Sequence, residues 1–152
     1  MNGMDERLTS YCGLCCSDCI PSRASFFALA DGLERELVAL RFDEYAALKG
    51  EGDETFRDYP TFLSVLEAIR ELRCPGPCRE GGGKPGCAIR DCARERGHEG
   101  CWECETRPLC ERLARLRAAH PHLDPHLDLI HELGPAGWFE QRQAHYRWQL
   151  RE

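Results

Sequence analysis

The amino-acid sequence predicts a mainly α-helical protein whose helices pack around an irregular, cysteine-rich knuckle, with residues 1–152 forming a single domain. Three observations predict this. Apolar side chains recur at three- and four-residue steps through much of the chain, the period of one helix face. No run alternates apolar and polar residues as a half-buried strand would. Eleven cysteines fall in two clusters, at 12–19 and 74–110, and the second occupies a stretch that lacks an apolar period. A chain of 152 residues is normally one domain with enough mass to bury a core.

The elements follow in order. A short helix is expected from Pro21 to about Asp31, with Phe26, Phe27 and Leu29 apolar. A stronger one is expected from Leu33 to Lys49, where Leu33, Leu37, Leu40 and Leu48 join Val38, Phe42 and Tyr45 in a wide stripe. Gly50 and Gly52 end it. The next helix starts near Pro60, because a proline in the first turn loses no hydrogen bond. Phe62, Val65, Leu66, Ile69 and Leu72 form its stripe, and it stops before Cys74-Pro75. Residues 74–104 carry turn signals at Gly81-Gly82-Gly83 and Pro85-Gly86. Beyond them Leu109, Leu113 and Leu116 are expected on one face, and Leu123, Leu127, Ile130 and Leu133 on another, ended by Gly134-Pro135. A last helix, about 136–149, brings Trp138, Phe139, Tyr146 and Trp148 to the core.

Composition narrows the setting. The N-terminal residues are polar and acidic, without the basic start and apolar stretch of a secretory signal, and no apolar run is long enough to span a membrane. A cytoplasmic location is therefore expected, and a reducing cytosol keeps thiols available to metals rather than disulfides. The odd number of cysteines also leaves at least one over in any fully paired scheme. The formal net charge is -6, and residues 1–73 carry all of it, with 8 basic and 14 acidic residues. No basic stripe offers a footprint for a phosphate backbone, so nucleic acid is disfavoured as a partner.

The cysteines carry the chemistry. In Cys12-Gly13-Leu14-Cys15-Cys16-Ser17-Asp18-Cys19, Cys12/Cys15 and Cys16/Cys19 each enclose two residues, and Cys12, Cys16 and Cys19 make an alternative frame. Gly13 eases the tight turn either frame needs. The three-cysteine frame has the C-x3-C-x2-C spacing of radical enzymes that use S-adenosylmethionine, but the alternating strands and helices of those enzymes are missing. The bacterial ferredoxin run fails, since its third cysteine would fall at Asp18. In the second cluster, Cys74-x3-Cys78 and Cys101-x2-Cys104 are two ligand pairs in the layout of a zinc knuckle. Cys87, Cys92 and Cys110 bring the total beyond one site, so two metal sites are expected, and spacing leaves open which sulfurs share a metal. Bound metal would order the segment 74–110 and supply on the order of 10 kcal/mol per structural site.

Other candidates weigh less. His120, His122 and His126 read as surface histidines of a proline-containing loop, while His98, inside the cysteine segment, is the better histidine candidate. Gly81-Gly82-Gly83-Lys84 lacks the spacing and hydroxyl of a phosphate loop.

Tyr11-Cys12-Gly13-Leu14-x-Cys16-x-x-Cys19 resembles the opening signature of a cysteine-rich prokaryotic family, domain-of-unknown-function family 3795. Cys87-Ala88-Ile89-Arg90-Asp91-Cys92-Ala93 is similar to its central segment, and Gly97 to Glu111, with Cys101, Cys104 and Cys110, to the segment that follows. Leu133-Gly134, Trp138 and Arg147-Trp148 are similar to its C-terminal pattern. The resemblance implies zinc binding without an established activity, and an acidic residue where this chain has Cys15. The expected ligands are therefore Cys12, Cys16, Cys19, Cys74, Cys78, Cys87, Cys92, Cys101, Cys104 and Cys110, holding zinc or, alternatively, a four-iron four-sulfur cluster. Three roles fit these ligands: a zinc-organised module for an unidentified protein partner, an iron–sulfur redox or sensor protein, and a zinc-thiolate or cysteine-dependent enzyme.

Overall fold

The fold follows the predicted class. In the computed structural model, which describes residues 3–151, the chain is mainly α, with no strand among the described residues beyond an isolated bridge between Thr9 and Cys15. Its α-helices are α1 (Gly3–Leu8), α2 (Ala24–Ala39), α3 (Phe42–Lys49), α4 (Tyr59–Glu71), α5 (Ala88–Glu95), α6 (Ala114–Ala119) and α7 (Leu123–Gln141), joined by short 3-10 turns. The chain divides into two compact units, residues 23–73 and residues 1–22 with 74–152.

In residues 23–73 the two helices expected at 21–31 and 33–49 are divided elsewhere. Gly32 sits inside α2, and the break falls at Arg41, whose φ of 50° and ψ of 48° are left-handed. Tertiary packing overrides the local glycine signal here. The reversal at Arg41 lets α3 fold back, with the Phe42 ring 5.2 Å from Tyr59 and Ala46 buried. Asp31 gains a role at mid-helix: it accepts from Arg70 at 2.9 Å and Arg73 at 2.5 Å, and Arg70 also pairs with Glu34 at 2.8 Å, which ties α4 to α2. Between α3 and α4, Asp53 caps the turn 54–58 by accepting from the Thr55 amide at 3.0 Å, and Arg57 donates to the Gly50 carbonyl at 2.8 Å. The α4 start at Tyr59-Pro60 is the expected one.

The other unit is built on irregular backbone around one core. Leu14, Cys15, Trp102, Leu113, Leu123, Leu127, Ile130, Trp138 and Tyr146 are buried together. Gly13 makes the seating of the N-terminal loop on α7 possible: its φ is +85°, and a Cβ there would lie 2.5 Å from a Leu127 methyl. Gly134, at φ 72° and ψ 166°, kinks α7 where the sequence places a helix end. The last helix stops at Gln141 rather than near 149, so Tyr146 reaches the core from the chain beyond it, whereas Trp148, expected in the core, stacks on the Tyr146 ring and stays 48% exposed. Leu109 is 89% exposed, not on a shared face with Leu113, because 107–109 is a 3-10 turn and the helical period starts only at α6. The helix α5 is an element the apolar period did not signal, since it buries little besides Ala93.

Candidate functional site

Three arginines tie down the irregular backbone around the cysteines. Arg79 donates to the Thr9 and Glu99 carbonyls at 2.6 Å each and lies over the Tyr11 and Trp102 rings. Arg117 donates to the Cys110 carbonyl at 3.0 Å and the Arg107 carbonyl at 2.7 Å, while pairing with Asp124 at 2.7 Å. Arg142 holds Asp18 at 2.8 Å and the Phe139 carbonyl at 2.6 Å. Loop carbonyls and the last carbonyls of a helix need donors, and a guanidinium supplies several in a fixed fork. Main-chain bonds complete the frame: the Cys74 amide donates to Pro21 at 2.8 Å, and the Cys101 amide to Tyr11 at 2.8 Å. These pull the first cysteine cluster to both ends of the second.

All eleven thiols are free. Their mutual influence groups them into two overlapping neighbourhoods. Burial pushes the Cys16 thiol up to about 11, with Cys78 and Cys12 adding in the same direction. Burial also raises Cys12, opposed by the Ser10 hydroxyl at 3.0 Å and reinforced by Cys78 and Cys87. Cys19 is raised by burial and then by Cys74. The second neighbourhood centres on Cys101, pushed up to about 12 by burial, with Cys12, Cys110, Cys104 and Cys92 adding. Cys92, Cys104 and Cys110 line one cavity of about 510 Å³. Cys104 differs from the rest: the Thr106 hydroxyl at 3.3 Å, and to a lesser degree Arg96, hold its thiol below the ordinary value. Cys12 belongs to both groups, raised by Cys78 and Cys87 and first among the thiols that raise Cys101.

As donors, soft thiols in these numbers suit zinc or an iron–sulfur cluster. Among the described residues, however, no three Cys, His, Asp or Glu side chains converge closely enough to hold a metal ion as they stand. The fit is one of donor chemistry and neighbourhood, not of a closed coordination shell.

Cys15 is separate from these thiols in kind. It is fully buried in the core, its amide donates to His145 Nε2 at 3.1 Å, and its carbonyl accepts from the Tyr146 hydroxyl at 3.0 Å. The histidines correct the sequence reading. His120 and His126 are buried, not surface loop residues, and His126 Nδ1 accepts from Trp138 Nε1 at 2.9 Å. Burial pushes His126 down to about 4, with His145 adding. His98 stands 3.8 Å from Glu103, half-buried. Sequence reasoning missed Arg79, Arg117, Arg142 and His145; the one available signal was composition, 18 arginines against two lysines.

A helical protein with a thiol-rich, arginine-pinned knuckle is the class these features define. The chain belongs to the family described as protein of unknown function DUF3795, whose profile it matches over residues 8–115. Every cysteine lies inside that span; the C-terminal part of the resemblance, to Trp148, lies beyond it. No curated protein and no solved structure matches the chain. Among the described residues no helix is long and apolar enough to cross a membrane.

Proposed function

We propose that this chain binds zinc through its cysteines, that the metal is mainly structural, and that the protein serves as a zinc-organised interaction module. The observation that carries the reading is the set Cys92, Cys101, Cys104 and Cys110: three line one cavity and the fourth responds electrostatically to all three. Four thiolates match the closed tetrahedral sites that zinc occupies in structural roles, with no coordination position left for substrate. Each sulfur hangs on a single rotatable bond, and the reading requires χ1 changes that bring all four within the zinc–sulfur bond length of about 2.3 Å. A second centre would draw on Cys12, Cys16 and Cys78, whose thiols influence one another, with Cys87, Cys19 and Cys74 as further candidate donors.

The experiment is metal analysis and visible absorption of protein purified without oxygen. One to two zinc per chain and no colour are expected, and Cys101→Ser or Cys104→Ser should each release one zinc. Iron and acid-labile sulfide at roughly four each per chain, with broad visible absorption that bleaches on reduction, would replace this reading with a redox or sensor role.

A further inference from the structure

Residues 23–73 contain no cysteine and bury few side chains, among them Phe27, Ala30, Ala46 and Leu66. On their surface lie two adjoining cavities of about 570 and 450 Å³, which share Asp43, Tyr59 and Leu63 as lining. Together they make one trough along α3 and α4 that continues to the C-terminal part of α2. Its floor is apolar, with Phe56, Pro60 and Leu66 joining the shared Tyr59 and Leu63, and Val38 stands 71% exposed at the α2 end.

The charge in the trough is one-sided. Two arginines line it, and both are engaged from within: Arg57 by the Gly50 carbonyl and Glu54, Arg70 by Asp31 and Glu34. The acids Asp43, Glu51 and Glu67 are exposed, and among the described residues none of them is in an ion pair. Burial, and then the Asp43 charge, push the Tyr59 phenol up, so the negative field reaches the floor.

We propose that this trough docks a basic amphipathic helix of a partner protein. An apolar helix face fills a helix-walled groove, and lysines or arginines flanking that face meet Asp43, Glu51 and Glu67. Other occupants fit less well. No strand is present among the described residues to accept an added strand. Residues 23–73 carry seven basic and eleven acidic residues, so a second copy seated through this same unit would set like charges together. An anionic membrane surface would be repelled for the same reason. The inference does not rest on the metal, since no candidate ligand lies in this unit.

The test is fluorescence anisotropy of two labelled 18-residue synthetic helices titrated with the full chain: one of leucine and lysine, one with glutamate in place of lysine. The lysine peptide should bind at least tenfold more tightly than the glutamate peptide. The pair Asp43→Lys, Glu67→Lys should weaken it at least tenfold. Glu132→Lys, Glu140→Lys, an equal charge change outside the trough, should leave most of the affinity. Val38→Asp, at an exposed position where circular dichroism can verify the fold, should weaken it as well. Equal binding of both peptides, or trough variants that bind like the Glu132/Glu140 control, would overturn the proposal. So would a concentration-dependent dimer in sedimentation that Val38→Asp dissociates, because the trough would then belong to a second copy.

Discussion

Residues 23–73 put their order into three α-helices of 16, 8 and 13 residues, closed by ion pairs from Arg70 and Arg73 to Asp31 and Glu34. Residues 1–22 and 74–152 reach the same end by another route: short turns, arginines donating into loop carbonyls, and a core of aromatics with three buried histidines. A helix satisfies its own backbone, whereas irregular backbone must borrow donors from side chains. The difference teaches where fragility lies. In the helical unit, loss of one contact leaves the helices' own hydrogen bonds in place. In the cysteine unit each anchor serves several segments at once.

On the proposed zinc reading, the largest effect that separates the two units is metal removal. Trp102, Trp138 and Trp148 all lie in the cysteine unit, and residues 23–73 have no tryptophan, so tryptophan fluorescence reads one unit alone. On chelation the fluorescence transition should fall steeply, by a free energy on the order of 10 kcal/mol per site, while helical circular dichroism from residues 23–73 persists. A fluorescence melt unchanged after complete metal removal would reject a structural metal.

Next in size is Arg79→Lys. Lysine keeps the charge but cannot donate to the Thr9 and Glu99 carbonyls together or lie flat over Tyr11 and Trp102. A loss of about 3 kcal/mol is expected in the fluorescence transition. A loss below 0.5 kcal/mol, within the range of an ordinary surface substitution, would show that the anchor is dispensable.

These anchors also mark the limit of what the sequence made legible. Gly13, Pro60, the Gly134 break and the leucines of α7 were readable because turn chemistry and helical period are local signals. The two cysteine clusters were readable by spacing, but their sorting into neighbourhoods was not. That sorting depends on Pro21 meeting Cys74 and on Tyr11 meeting Cys101, contacts 53 and 90 residues apart in the chain. Buried His126 was missed for a related reason: its partner, Trp138, lies beyond its own turn and across the Gly134 kink. The break at Arg41 had no glycine to announce it.

Acid should discriminate the two units more gently. Burial sets His126 at about 4 against an ordinary value of 6.5, and His145 is lowered by burial too. The unfolded chain therefore binds these protons more readily. Stability is whole above pH 6.5 and is lost as the pH falls towards 4. Roughly 2 kcal/mol from His126 is expected. Denaturant melts of the parent and of His126→Gln, whose amide can still accept from Trp138, isolate the histidine, because acid release of any bound metal would be common to both. Parallel pH profiles for the two proteins would rule out His126 as the titrating group.

The smallest expected effect sharpens the comparison from the helical side. Arg41 occupies the left-handed region at φ 50° and ψ 48°, which a residue with a Cβ occupies at a cost of about 1–2 kcal/mol. Glycine removes that strain but adds freedom to the unfolded chain, so only part of the gain survives. The Arg41–Glu44 ion pair that the change deletes is exposed and contributes little. Arg41→Gly should therefore stabilise residues 23–73 by about 0.5–1 kcal/mol. The gain should register in helical circular dichroism and not in tryptophan fluorescence. Arg41→Ala deletes the same ion pair and keeps the Cβ, so it should show no gain. If alanine stabilised as much as glycine, the reversal between α2 and α3 would carry no strain at Arg41, and its stability would have to be set by the packing of Phe42 and Ala46 alone.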